Sequence, residues 1–166
     1  MDAVSTFEAA LADRSTVHRT TAADAAATID DAVTTPAVGT ALPYDGVSLG
    51  ETAVERDPDL AAIDAARTGV TPAGIGIADY GTVTLPSTSD GAELCALYVD
   101  RHVAVLAESD LVDGMEPAYE RIAGDAASGD ATQILATGPS ATADMGELIR
   151  GVHGPHETHV VVVTDR

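Results

Sequence analysis

Residues 102–108 read HVAVLAE and residues 159–163 read HVVVV, with a helical pattern and a further short apolar run, TQILA at 132–136, between them. HVAVLAE is nearly continuously apolar and fits a strand buried on both faces, as parallel strands are; TQILA and HVVVV read as further strands. The helical pattern opens at Asp113 with Glu116 as cap and reciprocal partner, and places Met115, Tyr119 and Ile122 on one side. Pro117 falls in its first turn, where a missing donor costs least. A second helix is expected through Met145, Leu148 and Ile149. The order strand–helix–strand–helix–strand predicts an α/β fold, a central parallel or mixed sheet flanked by helices.

Upstream, GIGIADYGTVTL (74–85) places Ile75 and Ile77 before a turn and Val83 and Leu85 after it, the pattern of a hairpin. LCALYV (94–99) reads as a strand beside HVAVLAE. Val4, Phe7 and Leu11 predict a first helix, and TVHR (16–19) an edge strand. Thr21, with Asp24 three residues on, predicts the cap of an Ala-rich helix to Val33. A helix over DPDLAAIDAAR (57–67) is expected to close at Gly69. Between Thr34 and Arg56 only short strands and turns are indicated. With no internal repeat and no long linker, residues 1–166 are expected to form one domain.

The charge balance is the strongest global signal. Net charge is -19, all eight basic residues are Arg, and Asp is spread along the chain rather than gathered in a tail. A surface of this kind repels itself in dilute buffer. It resembles the composition of haloarchaeal proteins, which work in molar KCl. Stability is therefore expected to rise steeply from millimolar to molar KCl, and a thermal melt that ignores salt would count against this origin. The same charge speaks against binding nucleic acid or anionic lipid. No apolar run approaches a membrane span. The start MDAVSTFEAALADR lacks the basic and apolar regions of a signal peptide, so a cytoplasmic location is expected. Cys95 stands alone in an apolar stretch; it reads as a core residue and cannot supply the usual four-Cys ligation of an iron–sulfur cluster.

The segment ATGPSATADMGELIRGVHGP (136–155) carries the chemistry-bearing pattern. TGPS follows strand TQILA at what is expected to be the carboxyl edge of the sheet, where ligands bind in open α/β folds. Gly138 permits close approach of backbone, Pro139 stiffens the turn, and Ser140 or Thr142 caps the helix expected next. Free N–H groups there favour a carboxylate or phosphate. A tight, well-capped turn with no ligand fits the same residues equally.

TGPSATAD, followed by GVHGP and THVVVV, resembles the C-terminal signature of the LUD family, and most closely its subgroup C. GVTPAGIGIADYGTVTL (69–85) resembles the family's GVT segment and its acidic-x-Gly-Thr turn. The order and separation of the two blocks also match, and the likeness extends over nearly the whole chain. One departure stands out: where the family carries a Thr, often after Glu, this chain has Asp79 and Tyr80 before Gly81 and Thr82. The resemblance implies a fold similar to the sugar-phosphate isomerase and CoA-transferase superfamily. It implies a role in oxidising L-lactate to pyruvate beside partner subunits that hold iron–sulfur clusters, with no cofactor bound by this chain.

Taken with the resemblance, the expected ligand-binding residues are Asp79, Gly81 and Thr82 in the first block. In the second they are Thr137, Gly138, Pro139, Ser140, Thr142, Asp144, His153 and Gly154. Asp79 and Thr82 are expected to face the TGPS loop, with partial burial raising the Asp79 pKa; a plain turn-stabilising Asp fits as well. His153, His156 and His159 recur every third residue, but Gly154 and Pro155 interrupt any shared helical face, and no metal is expected. His102 reads as a core or edge histidine, and His18 as a surface one. No catalytic residue is assigned. Three classes stay open: an accessory, ligand-binding subunit of a lactate-oxidising complex, a free-standing enzyme on a small anionic metabolite, and a non-catalytic interaction domain. The absence of a GxGxxG fingerprint and of cluster cysteines favours the first.

Overall fold

The computed structural model describes residues 2–129, 132–139, 141–144, 147–150 and 153–166. The chain runs α1 (Ala3–Leu11), β1 (Thr16–Thr20), α2 (Ala25–Ala32), β2 (Ala37–Gly39), β3 (Val54–Arg56), α3 (Leu60–Ala65) and β4 (Thr68–Pro72). Next come β5 (Gly76–Ile77), β6 (Thr82–Pro86), α4 (Ala92–Leu97), β7 (Arg101–Ala107), β8 (Leu111–Val112) and α5 (Met115–Ser128). It continues with β9 (Gln133–Ala136), β10 (Ala141–Asp144), β11 (Glu147–Arg150) and β12 (Glu157–Val163).

Six strands form a parallel sheet in the order β1-β12-β7-β4-β2-β3. The continuous apolar runs are its interior strands β7 and β12, and both of their faces are buried. Val103, Val105, Val161 and Val163 pack with Ala25 and Ile29 of α2. Ala104, Leu106, Val160 and Val162 pack on the other side with Val4, Phe7 and Leu11 of α1. Burying each such Val or Leu contributes about 1.5–3 kcal/mol, which explains why polar residues are kept out of both runs. α1 is held at its start by the Asp2 carboxylate, which accepts from the Ser5 N–H at 2.8 Å.

A second sheet, ordered β8-β5-β6-β9, lies on the α1 side, where Val83 and Leu85 join the same cluster. β5 and β6 form the expected hairpin. Its turn is a single 3-10 turn, Ala78–Tyr80, ended by Gly81 in the left-handed region at φ 60°. α5 covers this sheet through Ala118, packed on Ile75 and Ile77.

Five expectations are corrected. α5 is preceded by Gly114 with no side-chain cap, so Asp113 does not cap it. LCALYV is not a strand: α4 buries Ala92, Cys95 and Ala96 at helical spacing and leaves Leu94 and Tyr98 exposed. Gly69 does not end a helix; α3 stops at Ala65 and Gly69 lies within β4. Leu148 and Ile149, expected in a helix, lie instead in β11, antiparallel to β10, which sets Thr142 opposite Ile149; Met145 lies outside the described residues. Two β-branched residues at facing positions suit a sheet better than a helix. Finally, α2 starts at Ala25, and the Thr21 hydroxyl bonds the Asp24 carboxylate at 3.0 Å instead of capping the helix. Cys95 is a core residue, fully buried with Val38, Ile63 and Val99. Among the described residues no helix is long and apolar enough to cross a membrane.

Candidate functional site

β9 pairs antiparallel with β6 in the smaller sheet, so the loop after it does not reach the carboxyl edge of the main sheet. It lies instead at the opposite edge, by the amino ends of β1, β7 and β12. Gly138, at φ 95°, sits so close to the residues preceding β1 that a Cβ there would lie 2.8 Å from the Ser15 hydroxyl. The anion-binding helix start expected after TGPS is absent, because the chain enters β10.

A cavity of about 190 Å³ opens at this edge, between α4, the smaller sheet and the starts of β7 and β12. Thr137, Gly138 and Pro139 line it together with His153 and Gly154, so both halves of the second sequence block meet there. Its volume is below the roughly 300 Å³ at which pockets for drug-sized ligands begin, and it suits a molecule of a few heavy atoms. Leu85, Leu97 and Ile134 give it an apolar wall. Among the described residues no Arg lines it.

The first block gives the cavity wall Leu85 and makes one hydrogen bond to its loop. The Thr82 hydroxyl, 4% exposed, lies 2.8 Å from the Thr137 hydroxyl. Thr82 therefore does meet the TGPS loop. Asp79 does not line the cavity: it is exposed rather than partly buried, its N–H donates to the Asp113 carbonyl at 3.1 Å, and its carboxylate lies against Gly114. Gly81 serves the turn and the close passage of α1, since a Cβ there would stand 2.8 Å from Leu11. Thr142 and Asp144 lie in β10. Ser140 lies outside the described residues.

Sequence reasoning read His102 as structural and gave Thr158 no role of its own. His102, 2% exposed, and Thr158, 7% exposed, both contribute to the wall. The His102 Nε2 lies 2.9 Å from the hydroxyl of Thr71, itself buried in β4. Complete burial pushes the His102 pKa down to about 4, so the imidazole is neutral near pH 7. The GVT segment thereby acquires a physical meaning. Gly69 lets the end of α4 lie against β4, Val70 fills the core, and Thr71 holds His102. A His opening a continuous apolar strand, with a Thr of the neighbouring strand to receive it, was the available signal.

His159 lies nearby on β12 but serves a different arrangement. Its Nδ1 is 2.9 Å from Nε2 of His18 on β1, with the rings 10° from parallel. Burial first, then Arg101 and His18, push the His159 pKa down to about 4. His18, expected at the surface, is half-buried in this pair. Among the described residues no three His, Cys, Asp or Glu side chains converge as a metal site.

A small sheet-edge cavity built from these two blocks places the chain in a class, and the comparisons agree on it. The LUD domain family matches residues 7–163, and the chain belongs to that family. Similar proteins include Lactate utilization protein C of Bacillus licheniformis, 33% identical over 129 residues, covering 75% of this chain and 54% of that protein. The protein of the same name from Deinococcus radiodurans is 32% identical over 127 residues, covering 74% and 59% respectively. That of Bacillus subtilis is 30% identical over 129 residues, covering 75% and 54%. The match thus spans little more than half the length of these relatives. In three dimensions the chain is similar to a DUF162 family protein from Deinococcus radiodurans, with a TM-score of 0.72 and 23% identity over 98% of this chain and 96% of that one. This last likeness speaks for the fold alone.

Proposed function

We propose that this chain serves lactate utilisation as an accessory, ligand-binding subunit that works beside partners carrying iron–sulfur clusters. The observation that carries the reading is the meeting of both sequence blocks at one small cavity, with Thr82 and Thr137 in contact at 2.8 Å. Its size and mixed wall suit a short 2-hydroxy or 2-oxo carboxylate. Relatives named for lactate utilisation support the metabolite class. The exposed side chains of Leu60, Leu94 and Tyr98 supply an apolar patch of the kind a partner-binding subunit needs. Electron transfer is left to the partners, because this chain has one cysteine, buried in its core.

The test is a tagged pull-down in molar KCl from lactate-grown cells, with iron and lactate oxidation assayed in the eluate. Recovery of an iron–sulfur protein together with lactate oxidation is the expected result. A chain that comes down alone and inactive would remove the support for the accessory role.

A further inference from the structure

The polar groups of the cavity are not evenly placed. His153 is exposed and stands at its open side, whereas His102 is enclosed at the start of an interior strand. The cavity wall is otherwise partly apolar, with Leu85, Ala96, Leu97 and Ile134 among its lining. Among the described residues only Nε2 of its ring has a hydrogen-bond partner, Thr71, on a neighbouring strand of the same sheet. An imidazole fixed in this way cannot turn to suit whatever enters; it offers one remaining nitrogen in one place.

We propose that His102 is the specificity residue of this cavity, binding the hydroxyl of a 2-hydroxy carboxylate and so rejecting the analogue that lacks it. The inference rests on the reading of the cavity as a small-carboxylate site.

The orientation follows from the cost of burying charge. A carboxylate pressed against a neutral imidazole among leucines would lose its hydration, and among the described residues no cation lines the cavity to compensate. It therefore stays at the open side by His153 and the glycine backbone of Gly138 and Gly154, where water still reaches it. The uncharged end of the ligand enters. A neutral imidazole carries one N–H donor and one acceptor nitrogen. If the Thr71 hydroxyl donates to Nε2, the other nitrogen is a donor; if it accepts, the other nitrogen is an acceptor. A ligand hydroxyl satisfies either state, because it both donates and accepts. A methylene hydrogen in its place satisfies neither, and forfeits that hydrogen bond. The loss is enough to separate the two ligands by roughly ten- to hundredfold in affinity.

The experiment is calorimetric titration of the intact chain in molar KCl with L-lactate and with propionate, which differ in the hydroxyl alone. Lactate is expected to bind at least about tenfold more tightly. In His102→Leu the two are expected to bind alike, at the level of propionate on the unaltered chain. Because that variant removes the bond to Thr71, the unaltered protein is also followed by the imidazole nitrogen resonances of His102. These should move on addition of lactate and stay in place with propionate. Equal affinities, a lactate preference that survives in folded His102→Leu, or an unmoved His102 resonance would overturn the inference and leave the cavity reading standing. If neither acid binds, both fall together.

Discussion

Replacing Gly69 with Ala is expected to cost this protein more stability than any other single methyl group we can place on it. A Cβ at Gly69 would lie 1.7 Å from the carbonyl oxygen of Cys95 and 2.7 Å from its carbonyl carbon. No rotamer relieves this, because the obstacle is backbone: the carboxyl half of α4 must move away from β4. That movement opens the cluster of Val38, Ile63, Cys95 and Val99, and disturbs the strand that carries Thr71. A loss above about 4 kcal/mol is expected, a large part of the stability of an ordinary domain. In a thermal melt this is a fall in Tm of at least about 10 °C for a chain of this size. Gly124→Ala provides the contrast. Gly124 lies inside α5 with nothing within 4 Å of the new methyl, so the helix should gain up to about 1 kcal/mol. If Gly69→Ala melts within about 2 °C of the unaltered chain, the close approach of α4 to β4 is wrong.

Acidification is expected to destabilise the fold well before its carboxylates titrate, and His102 is the main reason. The folded state holds its imidazole neutral, with a pKa pushed down from 6.5 to about 4 by burial. The unfolded chain takes up a proton near the ordinary value. The stabilisation from the neutral form is therefore complete above pH 6.5 and is lost progressively as pH falls from there toward 4. Between about pH 7 and pH 5 the loss from His102 alone amounts to about 2 kcal/mol. His159 and His18, also pushed down by burial, add to the same slope with smaller weight because they are partly exposed. The measurement is urea unfolding in molar KCl at the two pH values, for the unaltered chain and for His102→Gln. The Gln variant keeps a polar partner for Thr71 and removes the titration, so its stability should fall by about 2 kcal/mol less over that interval. Equal slopes would place His102 in contact with water.

Residues with a single available reading were legible in the sequence. The valine runs of β7 and β12 can satisfy their surroundings only when covered on both sides, and the structure covers them with α1 and α2. Val4, Phe7 and Leu11 face one cluster as their spacing requires. Ambiguity came from short runs. The apolar run that begins at Leu94 is compatible with a strand or with a buried helix of a few turns, and what decided for α4 was a neighbour, Gly69, more than twenty residues earlier. Gly69 in turn looked like a helix stop, because glycine announces a turn and a close approach in the same letter. Leu148 and Ile149 have helical spacing with Met145, yet both lie in β11, paired with β10. The candidate site shows the same limit. Thr82 and Thr137 were singled out separately, but their contact depends on β6 pairing with β9, which no local pattern announces. His102 was read as structural because a buried histidine and a cavity histidine look alike until the cavity is seen.

The position of β12 between β1 and β7 has a consequence for how this chain is made. β1 has no place in the sheet until β12 exists, and the two are far apart in the chain: His18 and its partner His159 are 141 residues apart. On the ribosome, β1 emerges before β12 and waits while the residues between them are translated. Until β12 is made, Phe7 and Leu11 lack the Val160 and Val162 side chains of their cluster. Contacts of this span close slowly, and exposed apolar groups in a half-made chain are what chaperones bind. β12 is thus also the latch: β1 passes from custody to fold only when it arrives.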